Sequence, residues 1–497
     1  MSSVSLRTAL ALGLFAAAVA QDDTEKETVL GVGFTRRAIA PRTAPIHHRS
    51  GVVKSAYQGA YDVTNYGAMG DNATDNTASF QAAMAACNAN CAASAGSCGG
   101  DVYVPPGLYR FTGNFSVPSG CTLQGSFLSV PSHDLRGAGS DGSYCDDGTF
   151  LIPTQGRGEA CGLDCTSAFI SLRTNSAVKG LVIWHDEQES VALPVAYPWA
   201  LFMQGDNIEV SDVELLGAWN GIAAVAAHRH LIVRVEGQPI NIGVFVDETY
   251  DIGRIEDVHF NPWFSDHSPF VWWQTTYGRA FVFGRSDWEY VLNTFAFGYG
   301  IGYHFIERAR GAMNGNFVGI GADMITNASV AVDQSQPYGI LISNGEFTAF
   351  CKGMYCPPQE WRAAQGLASV DPTHLVVGAE NQGTVSFSTS AFWGSAAQIA
   401  KLAGTGTTSF SQCHFDTWDT ESRGVAALQQ RGGKLIVSAC EWHQSAARMG
   451  AQNQALVAPH VEIFNHSIKT IVTSNVVNGD IVIRNHGNGT TAIANNL

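Results

Sequence analysis

Residues 210–262 read VSDVELLGAWNGIAAVAAHRHLIVRVEGQPINIGVFVDETYDIGRIEDVHFNP, and one short pattern passes through them three times. VSDVELLG (210–217), IVRVEG (232–237) and RIEDVHFNP (254–262) align on Val213, Val235 and Val258, which recur after 22 and then 23 residues. A second strand keeps the same frame, with NGIAAV at 220–225 and IGVFVD at 242–247, again 22 apart. Further copies follow at 341–347, 385–392, 409–415 and 435–442. A short fixed period carrying several strands per copy is the signature of a solenoid, whose coils stack about 4.8 Å apart. Coils made of strands alone predict an all-β fold, a parallel β-helix in which each coil covers the core of the next. An antiparallel sandwich also has short strands, but nothing in it requires a fixed frame.

The segment ahead of the repeat is different. NYGAMGDNATDNTASFQAAMAAC (65–87) is a turn followed by an amphipathic helix. Gly67 and Gly70 suit positive φ, and Asp71, Asn72, Asp75 and Asn76 suit side-chain-to-backbone turns. Asp75 or Thr77 caps a helix over 77–88 whose apolar stripe is Phe80, Ala83, Met84 and Cys87. Upstream, MSSVSLRTALALGLFAAAVAQ reads as a signal peptide (1–20) cut before Gln21, and 21–55 as a polar, flexible leader. The single folded domain is then 56–497 and the protein is secreted, with no later stretch able to span a membrane.

Composition agrees with export. The 497 residues are 45% hydrophobic and only 14% charged, enough for one large core. Eleven cysteines, with Cys87, Cys91 and Cys98 in one cluster and Cys145, Cys161 and Cys165 in another, favour disulfides with one thiol left over. Cys351 and Cys356 close a short loop, and no paired CxxC spacing suggests zinc. Asn72, Asn114, Asn327, Asn465 and Asn488 each open a glycosylation sequon. The net charge of −15, without a basic stripe, argues against nucleic acid as a partner.

The turn-and-helix at 65–87, followed by VYVPPGLYRF and SGCTLQG, resembles the start of the pectate-lyase-like superfamily, in its rhamnogalacturonase/epimerase-like branch, over residues 61–127. The resemblance implies a right-handed parallel β-helix whose N-terminal end is capped by the helix. It implies architecture more than chemistry, since the superfamily contains lyases, hydrolases, epimerases and tailspikes. The Asn-Thr-Asp, Asp-Asp, Gly-His-Gly and Arg-Ile-Lys motifs of its polygalacturonases are missing from the repeat region, as is an alignable calcium cluster of the lyases. No catalytic residue is therefore carried over from either group.

Candidate site residues come from the coil itself. Between inward apolar positions stand Glu214, Glu236 and His259, and later Glu346, His414 and Glu441, an outward ladder of ionisable groups. Two positions earlier, Asp212, Arg234 and Asp257 alternate in charge and read as structural. Long insertions at 184–199, 261–279 and 348–361 leave in the same phase and are expected to wall a groove. They carry Trp184, Trp199, Trp263, Trp272, Trp273 and Trp361, rings suited to stacking on sugars. Beyond the second insertion, Asp287 and Glu289 are two apart, which on a strand puts both on one face with Arg285.

The expected function is a secreted enzyme cleaving a polysaccharide, with glycoside hydrolysis ahead of lyase chemistry. A non-catalytic carbohydrate-binding protein is the competing class. Chemistry is expected between 184 and 307, with Asp287 and Glu289 as leading acid–base candidates, then His259 and Asp266, and Glu236 beside them. Trp263, Trp272, Trp273, Trp288, Arg285 and Tyr299 are the expected substrate contacts. No cofactor is expected, calcium entering only with lyase chemistry, and the chain is read as a monomer or homotrimer.

Overall fold

Strands from successive copies pair in parallel in the frame that the valines set. In the computed structural model, Glu209–Leu216, Leu231–Gln238 and Arg254–Phe260 lie side by side with Val213 opposite Val235 and Val235 opposite Val258. Asn220–Val225 and Ile242–Asp247 pair in the same way in a second sheet. Among the described residues, one sheet has 25 strands and the other 13, and every pairing of strands in them is parallel. The structure describes residues 61–93, 99–133, 147–367, 370–443, 458–477 and 479–496, without the side chains of 90–93. All of these fall in one compact unit, Tyr57–Leu497. The signal peptide, the leader, Cys98, Cys145 and the side chain of Cys91 lie outside the described residues.

The larger sheet has more strands because each coil bends within it. Gly180, Asp212, Arg234, Asp257, Asn293, Gly319, Asn344, Thr389, Gln412, Ala439 and Ser474 occupy one position of successive coils, and all have φ between 48° and 65°. A left-handed residue turns the chain and breaks the two-residue alternation. That is why Val210 and Val213, or Ile232 and Val235, both point into the core although three apart. The expected charge ladder therefore runs along a corner. Arg234 donates from Nε and Nη2 to the two oxygens of Asp212 at 2.6 and 2.7 Å. The Arg234 side chain is 46% exposed, so Arg234→Ala is expected to lower unfolding free energy by under about 1 kcal/mol in a denaturant titration. A cost several times larger would make the corner pair a main determinant of stacking.

Helix α1 (Thr77–Ala93) runs one turn beyond the expected 77–88. Asp75 Oδ1 accepts from the Thr77 amide at 3.0 Å and from its hydroxyl at 2.6 Å. Phe80, Ala83, Met84 and Cys87 are buried against the first strands, with Phe80 edge-on to Phe111 at 4.8 Å. Gly67 has φ 92°, as expected. Gly70 does not take positive φ; a Cβ there would lie 2.9 Å from the Gly107 Cα, so it is needed for close chain approach.

Among the described residues, three disulfides join Cys87 to Cys121, Cys161 to Cys165 and Cys351 to Cys356. Cys87 therefore pairs outside its sequence cluster. In place of the single unpaired thiol expected, Cys413 and Cys440 are both reduced and buried in the core. The five sequon asparagines are all exposed.

Candidate active site

Parallel register turns the outward position after each corner into a continuous row. Glu214, Glu236, His259, Phe295, Gly321 and Glu346 are successive partners, about 4.8 Å apart per coil. At the N-terminal end of this row, Glu214 is fully buried, accepting from the His133 amide at 2.6 Å and meeting His133 Nδ1 at 2.5 Å. Burial raises its pKa against the pull of those bonds. Glu236 is half-buried, and burial raises its pKa as well. The His259 ring lies edge-on to Trp263 at 4.8 Å and to Phe295 at 5.1 Å, and burial lowers its pKa.

Farther along, the row opens into a cleft of about 380 Å³ lined by Asn293, Phe295, Asp323, Asn344, Glu346, Thr348 and Trp393 among others. Asp323 lies two residues beyond Gly321, the partner of Glu346, so the two acids are diagonal neighbours with Cα atoms about 7–8 Å apart. Asp323 Oδ1 accepts from the Met324 amide at 2.6 Å and from the Thr348 hydroxyl. Glu346 Oε1 accepts from Trp393 Nε1 at 3.0 Å, and the Trp393 ring is 42% exposed. Two oriented carboxylates beside an exposed ring are the equipment of glycosidic bond cleavage. Among the described residues, no lysine, arginine or histidine lines this cleft.

The second and third insertions form one wall. Helix α2 (Phe270–Tyr277) lies within the second, and helix α3 (Gln359–Ala364) begins in the third and runs past its end. Trp272 Nε1 donates to the Met354 carbonyl at 2.9 Å, and its ring meets Trp361. Trp273 packs on Trp219 at 4.5 Å. Trp199 is different: it is fully buried in the second sheet, bonded to the Cys165 carbonyl.

Of the residues picked from sequence, Glu236 and His259 share the row, Trp263 packs edge-on against His259, and Trp272 and Trp273 stand on α2 in the second insertion. Asp266 sits in the second insertion, paired with His267 at 3.0 Å. The others lie elsewhere. Asp287 and Glu289 do not share a face, because Trp288 between them has φ 58° and reverses the alternation. Glu289 points inward and is fully buried, bonded by His230 Nε2 at 2.9 Å and Ser286 Oγ at 2.6 Å. Asp287 stays in the turn before the strand Glu289–Leu292, paired with Arg285 at 2.9 Å and bonded by Gln336 at 2.7 Å. That turn meets the opposite end of the sheet from His259, roughly eight residues or 26 Å away along the strands. Tyr299 is fully buried, its hydroxyl held by the Pro239 carbonyl at 2.5 Å. Asp323 was missed because its coil has Gly321 in the row and the acid two residues later. Glu346 was in the row but not chosen.

An all-β architecture of parallel strands stacked in two long sheets, consistent with a parallel β-helix, is the class of protein these features define. Residues 60–179 match the family described as Rhamnogalacturonase A/epimerase, pectate lyase-like, so the likeness to the pectate-lyase-like superfamily holds for this chain. Among solved structures, DFA-IIIase from Arthrobacter chlorophenolicus A6 in complex with GF2 is 14% identical, covering 87% of this chain and 99% of its own, at a TM-score of 0.54. The form of that enzyme without its lid, also with GF2, is 15% identical over 87% and 99% at 0.53. The mannuronan C-5 epimerase AlgE4 A-module from Azotobacter vinelandii is 12% identical over 87% and 97% at 0.42. At such identities the likeness to the two DFA-IIIase structures is one of fold. No curated protein matches the chain. Among the described residues, no group of three or more His, Cys, Asp or Glu side chains is placed to hold a metal ion, and no helix is long and apolar enough to cross a membrane.

Proposed function

We propose that this chain is a secreted enzyme that hydrolyses a polysaccharide bound along the carboxylate row, with Asp323 and Glu346 as its acid–base pair. The observation that carries the reading is the convergence of these two acids in one cleft beside the exposed Trp393 ring. Hydrolysis is placed ahead of β-elimination because the cleft offers two carboxylates, one able to serve as acid and the other as base or nucleophile. The description of the matched family supports carbohydrate chemistry, and three disulfides support export. In the same reading the strands close into a right-handed solenoid, with α1 covering its N-terminal end.

Product analysis on a polysaccharide panel tests this. New reducing ends without ultraviolet absorbance of an unsaturated uronate are the expected result. That absorbance would replace hydrolysis by lyase chemistry, and binding without products would leave a carbohydrate-binding protein.

A further inference from the structure

A second exposed surface lies before the left-handed corner, at the end of the sheet away from the groove walls. Glu289, Gly315 and Ile340 are register partners that point inward. The residues flanking them point outward in three rungs. The first rung presents Trp288 and Tyr290, the second Asn316, and the third Leu341, with Tyr338 in the turn two residues before Ile340. Trp288 is 64% exposed, Tyr290 36%, Tyr338 80% and Leu341 43%. Two apolar rungs thus stand about 10 Å apart with an amide rung between them.

Folding alone does not account for this pattern. The Trp288 backbone is left-handed, a state costing a bulky residue roughly 1–3 kcal/mol, and it carries a large ring into water. The Asn314 side chain holds that backbone by accepting from the Trp288 amide at 3.2 Å. Asn314 also donates to Gln336 at 2.9 Å, which ties the first rung to the turn that carries Tyr338.

We propose that Trp288, Tyr290, Tyr338 and Leu341, with the amide of Asn316, form a second polysaccharide-binding surface that holds an extended glycan outside the groove. Aromatic faces stack on the C–H faces of pyranose rings, and side-chain amides donate to and accept from their hydroxyls. The apolar area on offer is on the order of 400 Å², taking roughly 200 Å² per aromatic side chain. A stable interface between protein copies needs about 800 Å² from each partner. A glycan chain needs only a few stacked rings.

The test is retention of the full-length chain on insoluble cellulose, chitin, inulin and pectin particles, read by depletion from solution. Measured in the cold before turnover, retention does not depend on the proposed hydrolysis, so an inactive protein leaves this inference standing. Trp288→Ala with Tyr338→Ala is expected to weaken retention on at least one polymer roughly tenfold or more. Trp288→Phe with Tyr338→Phe is expected to preserve it. Equal retention of the alanine variant and the wild type would overturn the proposal, as would no retention of the wild type on any polymer. A shift from multimer to monomer in sedimentation of the alanine variant would also overturn it, making the surface an interface between copies.

Discussion

Asp323→Asn and Glu346→Gln each lower turnover on the cleaved polysaccharide by roughly 10²–10⁴-fold, with unfolding midpoints close to wild type. Stability changes little because Glu346 is exposed and Asp323 half-exposed. Activity changes greatly because one acid must protonate the leaving oxygen while the other activates water. Their effects should not add, since the double variant loses the same concerted step. Glu236→Gln serves as the comparison. It lies on the same row, four coils or about 19 Å from Glu346 by register. If the Asp323 and Glu346 variants retain near-normal turnover while Glu236→Gln loses it, the chemistry belongs beside His259 and Trp263.

Glu289→Ala is expected to act on stability instead, lowering unfolding free energy by roughly 3–5 kcal/mol. Both His230 nitrogens face oxygens, the Ala227 carbonyl at 2.8 Å and Glu289 at 2.9 Å. With an N–H toward each oxygen, the buried ring is an imidazolium facing Glu289, the state that the raised pKa of His230 favours. Removing Glu289 strands that charge in the core. Burial by itself pushes the His230 pKa down, but the charge and hydrogen bond of Glu289 outweigh it and the net direction is up. A raised histidine pKa contributes stability that is complete below its ordinary value of 6.5 and is lost as pH climbs through the raised value. Wild-type unfolding free energy should therefore fall on that alkaline side, and the fall should flatten in His230→Gln. Denaturant titrations at a series of pH values measure both. If Glu289→Ala were as stable as wild type but inactive, Glu289 would return to the catalytic candidates.

The sequence by itself determined the repeat frame and most of what faces the core. Val213, Val235 and Val258 repeat because each coil must cover the one before it, and a buried position tolerates only an apolar side chain of similar size. Glu214, Glu236, His259 and Glu346 stand out as the polar residues that interrupt that pattern. The helix at 77 was legible for the same kind of reason, its apolar stripe and its Asp75 cap being local. Tertiary structure decided which polar residues meet. Side-chain direction follows a period of two only while the backbone stays extended, and residues such as Trp288 and Asp257 leave that region. One left-handed residue sent Glu289 into the core, away from Asp287, although their spacing placed them together. Asp323 and Glu346 lie 23 positions apart in the chain, and only the register between their two coils brings them into one cleft.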